Sequence, residues 1–86
     1  MIELPKLSVI VPVYNEKATL RIIIERLQAI PIPMEIICIN DRSTDGSDKI
    51  LDELKEAKAV DLVIHQPVNR GKGYAIRTGI KHATGG

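Results

Sequence analysis

The 86-residue sequence has one cysteine, two aromatic side chains (both tyrosine) and a net charge of only +1. A lone Cys38 excludes an internal disulfide and a zinc site built from several cysteines. With so few aromatics and no basic excess, the chain lacks the stacking surfaces and the positive field that bind nucleic acid. It also lacks an apolar run near the ~20 residues that cross a bilayer, and an N-terminal signal pattern. We therefore expect no nucleic-acid partner, and a cytoplasmic location or, for the complete protein, the cytoplasmic face of a membrane.

The apolar content of 44% predicts a packed core within one small domain, or within part of a larger one. Three short apolar segments have the composition of buried strands, and the first is nearly all apolar, as expected for a strand covered on both faces. They are Leu7–Val13, Met34–Ile39 and Val60–His65. Cys38 lies inside the second segment, so we interpret it as a buried structural thiol.

The segments between the predicted strands have helical periodicity. The first helix is expected to start at an Asn15 cap and to stop at Pro31. The apolar positions of the first two helices are Leu20, Ile23, Ile24 and Leu27, then Ile50, Leu51 and Leu54. A third helix from about Gly73 repeats Ile76, Gly79, Ile80 and Ala83, with Ala75 and Gly79 small enough for close approach to the sheet. The resulting βαβαβα order predicts a three-layer α/β fold with a parallel sheet.

Polar residues follow the first two strands, at the edge where open α/β sheets bind ligands. Tyr14 follows the first strand, and its ring suits stacking on a nucleobase or ribose; the alternative is packing under a loop with a bond to a backbone group. Asp41 follows the second strand and can accept a base N–H, or it can organise its own loop as an Asx turn. Glu16 can contact a ligand or favour the positive end of the first helix, and Asp45 is expected to belong to the cap of the second helix.

The loop Asn69–Gly73 precedes the third helix and carries two glycines and two cations. Its N–H groups and charges suit a phosphate, and we assign Lys72 to nucleotide binding, although a plain turn is an equal alternative. The spacing matches neither a P-loop nor the GxGxxG fingerprint. His65 and His82 have no partner at ligand spacing, so we interpret them as structural or solvated.

Three segments together resemble the family-2 glycosyltransferases, whose nucleotide-binding half has the GT-A (Rossmann-like) fold. The matching stretches are SVIVPVYNE (Ser8–Glu16), EIICINDRSTDGS (Glu35–Ser47) and NRGKGYAIRTGIKHATG (Asn69–Gly85). The third is most similar to the branch that includes the dolichyl- and polyprenyl-phosphate mannosyl- and glucosyltransferases. The resemblance implies transfer of a hexose from a GDP- or UDP-sugar, with a polyprenyl (dolichyl) phosphate as acceptor.

The resemblance also implies roles for individual residues. Pro12 and Tyr14 line the base and ribose, and Glu16 supports their loop. Ile39 and Asp41 hold the base. Two positions depart from the family pattern, since Asn40 stands for the first Asp of Asp-Asp-Gly-Ser and Arg42 stands for its Gly. We expect Asn40 to be tolerated, whereas Arg42 either reshapes the loop or touches the ligand.

The resemblance further implies that residues 1–86 are an incomplete N-terminal portion of the nucleotide-sugar-binding domain. In the family, the next strand delivers an Asp-x-Asp motif for a divalent metal, Mg²⁺ or Mn²⁺. We therefore expect no catalytic residues, no bound metal and no activity in this chain alone. Without that next strand, Ser8–Val13 becomes an exposed edge, and we expect self-association through it.

Another class of function also fits the sequence. The chain is compatible with a non-catalytic nucleotide-binding or assembly module of α/β fold. A signalling receiver domain is disfavoured because the first strand does not end in an acidic pair. An NAD-binding Rossmann domain is excluded by the missing glycine fingerprint.

Overall fold

The computed structural model describes residues 7–83, apart from the side chain of Lys72. Strands and helices alternate along this part of the chain. They are β1 (Leu7–Val13), α1 (Leu20–Gln28), β2 (Met34–Asn40), α2 (Ser47–Glu56), β3 (Leu62–His65) and α3 (Lys72–His82). The predicted βαβαβα order is confirmed. Of the helices in this range, none combines the length and the hydropathy that a bilayer crossing requires.

The strands form a parallel sheet in the order β1-β2-β3. Val13 lies opposite Asn40, and Asn40 lies opposite His65, so the three strands finish at one edge of the sheet. β2 is buried from Glu35 onward, because it has a neighbour on each side. β1 lies at one edge of the described sheet and is only half-buried along most of its length, less than its apolar sequence predicts.

Helices cover both faces of the sheet, which confirms the three-layer architecture. The larger core cluster lies on the side of α1 and α2 and contains Val13, Leu20, Ile24, Ile36, Cys38, Leu51, Leu54 and Val60. The smaller cluster joins β2 to α3 and contains Ile37, Ile39 and Ala75. Cys38 is fully buried, as predicted, and burial raises the pKa of its thiol to about 12.

The apolar stripes predicted for α1 and α2 face the core, but the predicted start of α1 is wrong. α1 begins at Leu20 with Thr19 at the N-cap position, and no side chain caps it. Asn15 has a positive φ of 51° and its side chain bonds the loop after β2. The intervening residues 16–19 form a turn in which the Glu16 carbonyl accepts the N–H groups of Thr19 and Leu20.

β3 begins two residues later than predicted. The side chain of Asp61 accepts the N–H of Ile36 at 2.7 Å, and the N–H of Asp61 donates to the Ile36 carbonyl at 2.9 Å. The carboxylate therefore takes the place of a strand carbonyl at this point. Val60 is buried in the core although it precedes the strand.

α3 packs on the sheet through small residues. Ala75 is buried, and a Cβ built on Gly79 would lie 2.4 Å from Cγ2 of Ile10 in β1. The predicted close approach of Ala75 and Gly79 is confirmed. Ile76 and Ile80 were expected on the same stripe, but they are 38% and 60% exposed because the small residues take the sheet-facing side.

Candidate functional site

An open cavity of about 390 Å³ lies at the carboxyl edge of the described sheet. Residues from the ends of β1 and β2, from the loop after β3 and from α3 line it. They are Pro12, Val13, Tyr14, Glu16, Asp41, Asn69, Gly71 and Ala75. Four of the residues singled out from the sequence, Pro12, Tyr14, Glu16 and Asp41, are therefore brought together. These residues lie together because β1 and β2 end at the same level of the sheet. The pairing continues one residue past β2, where the Asp41 N–H donates to the Val13 carbonyl at 2.8 Å.

Tyr14, which lines the cavity, is 50% exposed. The described residues give its hydroxyl no hydrogen-bond partner. A half-exposed ring with an unengaged polar tip has a face available for a planar ligand.

Glu16 contributes to both the cavity and the turn that leads into α1. Its carboxylate accepts a hydrogen bond from the Thr19 hydroxyl at 3.2 Å. Its N–H donates to the Ser47 hydroxyl at 3.0 Å, which ties the turn to the start of α2. Glu16 is therefore placed both to contact a ligand in the cavity and to stabilise the start of α1.

The turn after β1 is bonded to the loop after β2 over several residues. Three successive N–H groups, at positions 15, 16 and 17, each donate at 3.0 Å to a side-chain oxygen of that loop or of the first residue of α2. The acceptors are Ser43, Ser47 and Asp45, in that order. The polar character of the Ser43–Ser47 segment therefore serves to join the two strand-end loops, a long-range role for which the sequence carries no local signal.

Asp45 combines this bridging role with one at the start of α2. One carboxylate oxygen accepts the N–H and the hydroxyl of Ser47, at 3.0 and 2.6 Å, while the other accepts the Lys17 N–H. The Ser47 hydroxyl bond, aided by the N–H bonds of Lys17 and Ser47, lowers the pKa of Asp45. Asp45 therefore bonds the first residue of α2, as its predicted place in the helix cap implies, but the N-cap position is Gly46 and no side chain caps the helix there. Asp45 also joins the two loops.

Asp41 is buried, with 4% of its surface exposed, and its carboxylate is held by three donors of the protein. One oxygen accepts Nε2 of Gln66 and the N–H of Arg70, both at 2.8 Å. The other oxygen accepts the N–H of Gly71 at 2.9 Å. Asp41 therefore organises the loop before α3 and not its own loop, so the Asx-turn alternative is wrong.

Asn40, and not Asp41, organises the loop that follows β2. Its Oδ1 accepts the N–H of Ser43 at 2.9 Å, so its Nδ2 is the donor to Nδ1 of His65, also at 2.9 Å. Nε2 of His65 then donates to Asp52 at 2.8 Å. Asn40 is thus accommodated as expected, and His65 has a structural role.

Arg42 adopts the left-handed conformation, with a φ of 56°, that a glycine would adopt more easily. Its guanidinium donates to the Pro67 carbonyl at 2.6 Å. Arg42 is absent from the cavity lining, so its side chain braces the loop after β3.

The loop before α3 is turned toward Asp41. The N–H groups of Arg70 and Gly71, expected to be available for phosphate, already bond this carboxylate. Arg70 lies 5.0 Å from the centre of the Tyr74 ring. The side chain of Lys72 lies outside the described part of the structure, and its assignment stays a prediction.

Ile39 does not line the cavity. It is fully buried and packs with Ile37 and Ala75 beneath the site. Gln66 was not singled out from the sequence, yet it is buried beside the cavity and bonds Asp41. The only feature of the sequence that could have identified Gln66 as a site residue is its position directly after a strand.

The sequence model of glycosyl transferase family 2 matches residues 8–86. The chain is 35% identical over 91 residues to the probable glycosyltransferase YdaM of Bacillus subtilis, covering 99% of the chain and 22% of YdaM. It is 36% identical over 85 residues to the undecaprenyl-phosphate 4-deoxy-4-formamido-L-arabinose transferase of Klebsiella pneumoniae, covering 93% of the chain and 26% of that protein. The chain therefore spans about a quarter of the length of these relatives.

Solved structures resemble the described fold closely. The mannosyltransferase PcManGT of Pyrobaculum calidifontis, in complex with GDP-Man and Mn²⁺, superposes with a TM-score of 0.85 at 29% identity, covering 94% of the chain and 25% of PcManGT. TarS 1–349 of S. aureus, in complex with UDP, superposes with a TM-score of 0.81 at 27% identity, covering 93% and 25%. Both share the α/β arrangement of the GT-A fold.

Proposed function

The chain belongs to glycosyl transferase family 2, and on that premise we propose that it forms the nucleotide-binding part of a hexosyltransferase. The complete enzyme transfers a hexose from a GDP- or UDP-sugar to an acceptor. One observation carries the proposal: Tyr14 and Asp41, from the ends of neighbouring strands, line the same cavity. Its volume of about 390 Å³ is in the range of small-molecule sites.

In this proposal, Tyr14 stacks on the base or ribose and Asp41 accepts a base N–H. An ionised carboxylate has about four acceptor positions. Three are taken by Gln66, Arg70 and Gly71, which leaves one on the oxygen that accepts only the Gly71 N–H. Asp41 is therefore suited to a single N–H at the edge of a base, and its protein donors hold it ready for that bond.

The remaining assigned residues act around this pair. Pro12 and Glu16 form further walls of the cavity. Ile39, buried two residues before Asp41, anchors the end of β2 in the core and so fixes where Asp41 lies. Lys72 is proposed to contact the phosphates.

The donor and acceptor classes are supported by the relatives. Solved neighbours contain GDP-Man or UDP, and one curated relative is named as an undecaprenyl-phosphate transferase. We propose a polyprenyl phosphate as acceptor. Because a phosphate is already anionic and nucleophilic, the transfer depends on positioning more than on a strong general base.

The residues that the structure describes do not fit a metal site. Among those that the structure describes, no group of three or more His, Cys, Asp and Glu side chains could hold an ion. Asp41 faces N–H donors, which suit a carboxylate and exclude a cation from the same positions. We propose that Mg²⁺ or Mn²⁺ serves the complete enzyme through ligands outside this chain, and that the chain alone binds nucleotide weakly without transferring sugar.

The location of the protein is proposed from its acceptor and its thiol. A lipid acceptor calls for a membrane surface, and a free, buried Cys38 suits the cytoplasm, so together they favour the cytoplasmic face. We propose this location for the complete protein.

Calorimetric titration with UDP and with GDP, each with and without Mn²⁺, tests the proposal. We expect binding of one nucleotide, with a preference for its base. Asp41→Ala should weaken that binding about tenfold or more, because a hydrogen bond to a charged group contributes about 1.5–3 kcal/mol.

Asp48→Ala is the matched control, since Asp48 lies on α2 and is absent from the cavity lining. It should leave the affinity unchanged. Equal affinities for wild type and Asp41→Ala would return Asp41 to a purely architectural role, and binding of neither nucleotide would refute the proposal.

A further inference from the structure

Gln66 is a buried polar residue directly after β3, with 7% of its surface exposed. Its N–H donates to the Asn40 carbonyl at 2.8 Å, which continues the pairing of β2 and β3 beyond the last strand residue. The main chain therefore fixes where this side chain starts, beside the end of β2.

The side-chain amide of Gln66 lies between Asp41 and α3. Nε2 donates to the Asp41 carboxylate at 2.8 Å in a buried hydrogen bond. Oε1 lies 3.3 Å from the hydroxyl of Thr78, which also reaches the Tyr74 carbonyl at 3.1 Å. Because a carboxylate only accepts, the bond to Asp41 sets the orientation of the amide.

We propose that Gln66 is a positioning residue for the nucleotide site, acting through Asp41. The proposal rests on the proposed function, because it assumes that Asp41 contacts the base. Without the Nε2 donor, the Asp41 carboxylate keeps only two main-chain donors, Arg70 on one oxygen and Gly71 on the other, so its orientation is held less firmly. A change in that orientation moves the remaining acceptor position relative to a base in the cavity, which Asp41 lines.

The test is a pH-dependent loss of binding in Gln66→Glu, measured by calorimetry on the full-length protein with UDP and GDP. At pH 8 the introduced carboxylate repels Asp41 at hydrogen-bond distance. A second carboxylate at hydrogen-bond distance strongly raises one pKa of the pair, so at pH 5 we expect the introduced carboxyl to carry a proton and to donate it to Asp41, as Nε2 does in the wild type. We expect affinity about tenfold below wild type at pH 8, recovering to within about threefold at pH 5.

Gln28→Glu is the matched control, because Gln28 is exposed on α1 and donates to the Ala59 carbonyl. Its affinity relative to wild type should not change between the two pH values. Gln66→Met keeps the side-chain volume but removes the donor, and should bind several-fold more weakly at both pH values.

The outcomes separate the two proposals. If wild type binds neither nucleotide, the proposed function fails and the positioning role falls with it. If wild type binds and Gln66→Glu loses affinity equally at both pH values, or loses none, only the positioning role is overturned. Should circular dichroism show that Gln66→Glu does not fold, Gln66→Met decides, and wild-type affinity in that variant overturns the role.

Discussion

The contact between α3 and β1 is tested by two glycine-to-alanine changes in the same helix. A Cβ at Gly79 would lie 2.4, 3.0 and 3.2 Å from three side-chain atoms of Ile10. A Cβ at Gly73 would meet nothing within 4 Å. Both substitutions add a methyl group to α3, Gly73 at its second residue and Gly79 in its interior, so their difference reports mainly the packing of Gly79 against the sheet.

Helix propensity and packing act in opposite directions at Gly79. Alanine is favoured over glycine in a helix interior by about 1 kcal/mol. Overpacking a tight contact costs about 1–3 kcal/mol, and Ile10 is β-branched, so a rotamer change does not clear all three atoms. We expect Gly79→Ala to lose about 1 kcal/mol and Gly73→Ala to gain up to about 1 kcal/mol, a difference near 2 kcal/mol in the free energy of unfolding.

Urea unfolding followed by far-ultraviolet circular dichroism measures this difference. Both variants should keep the wild-type dependence on urea, so that the midpoints report stability directly. If Gly79→Ala proves as stable as Gly73→Ala, α3 does not pack on β1 as described. The position of Ala75 in the cavity wall would then be wrong too, because Ala75 lies on the same helix.

Three further predictions concern the rest of the fold. Because burial raises the pKa of Cys38 to about 12, a thiol reagent at pH 8 should label it only after unfolding, and rapid labelling of the native protein would contradict its burial. The pKa of Asp45 is lowered, so its stabilising contribution is complete above the unfolded value near 3.8 and is lost as the pH falls through the folded value. In Asp45→Asn, the free energy of unfolding measured with urea should fall less steeply as the pH is lowered through this range. A pH dependence equal to that of the wild type would contradict the assigned bonds. Self-association through β1 should appear in light scattering of the concentrated chain, whereas a strictly monomeric chain would refute it.

The sheet and its core could be predicted from the sequence because they depend on short-range patterns. The apolar run around Cys38 indicates a buried strand whatever surrounds it, and the stripe from Leu20 to Leu27 indicates which side of α1 faces inward. Strand order then follows from short, right-handed connections. Tyr14 and Asp41 could be placed near each other by the same argument.

The hydrogen-bond partners of the site could not be predicted, because they are distant in sequence. Asp41 bonds residues 25 to 30 positions away, and no local pattern in the chain specifies those pairs. Asn15 carries a cap residue type, yet its side chain bonds Thr44, 29 residues on. Ile80 shows that a local pattern can also mislead. Its spacing predicts a buried position on α3, but Ala75 and Gly79 face the sheet instead and Ile80 is exposed.

The central claim is that the ends of β1 and β2 hold a nucleoside between them. Amide nuclear magnetic resonance during titration with UDP and GDP tests it most directly. We predict that the bound nucleotide shifts the signals of Tyr14, Glu16, Asp41 and Gly71 together, while those of Arg26 and Lys55 on the helices of the opposite layer stay in place. Saturating nucleotide that leaves Tyr14 and Asp41 unmoved, or that moves only one of them, would contradict the claim.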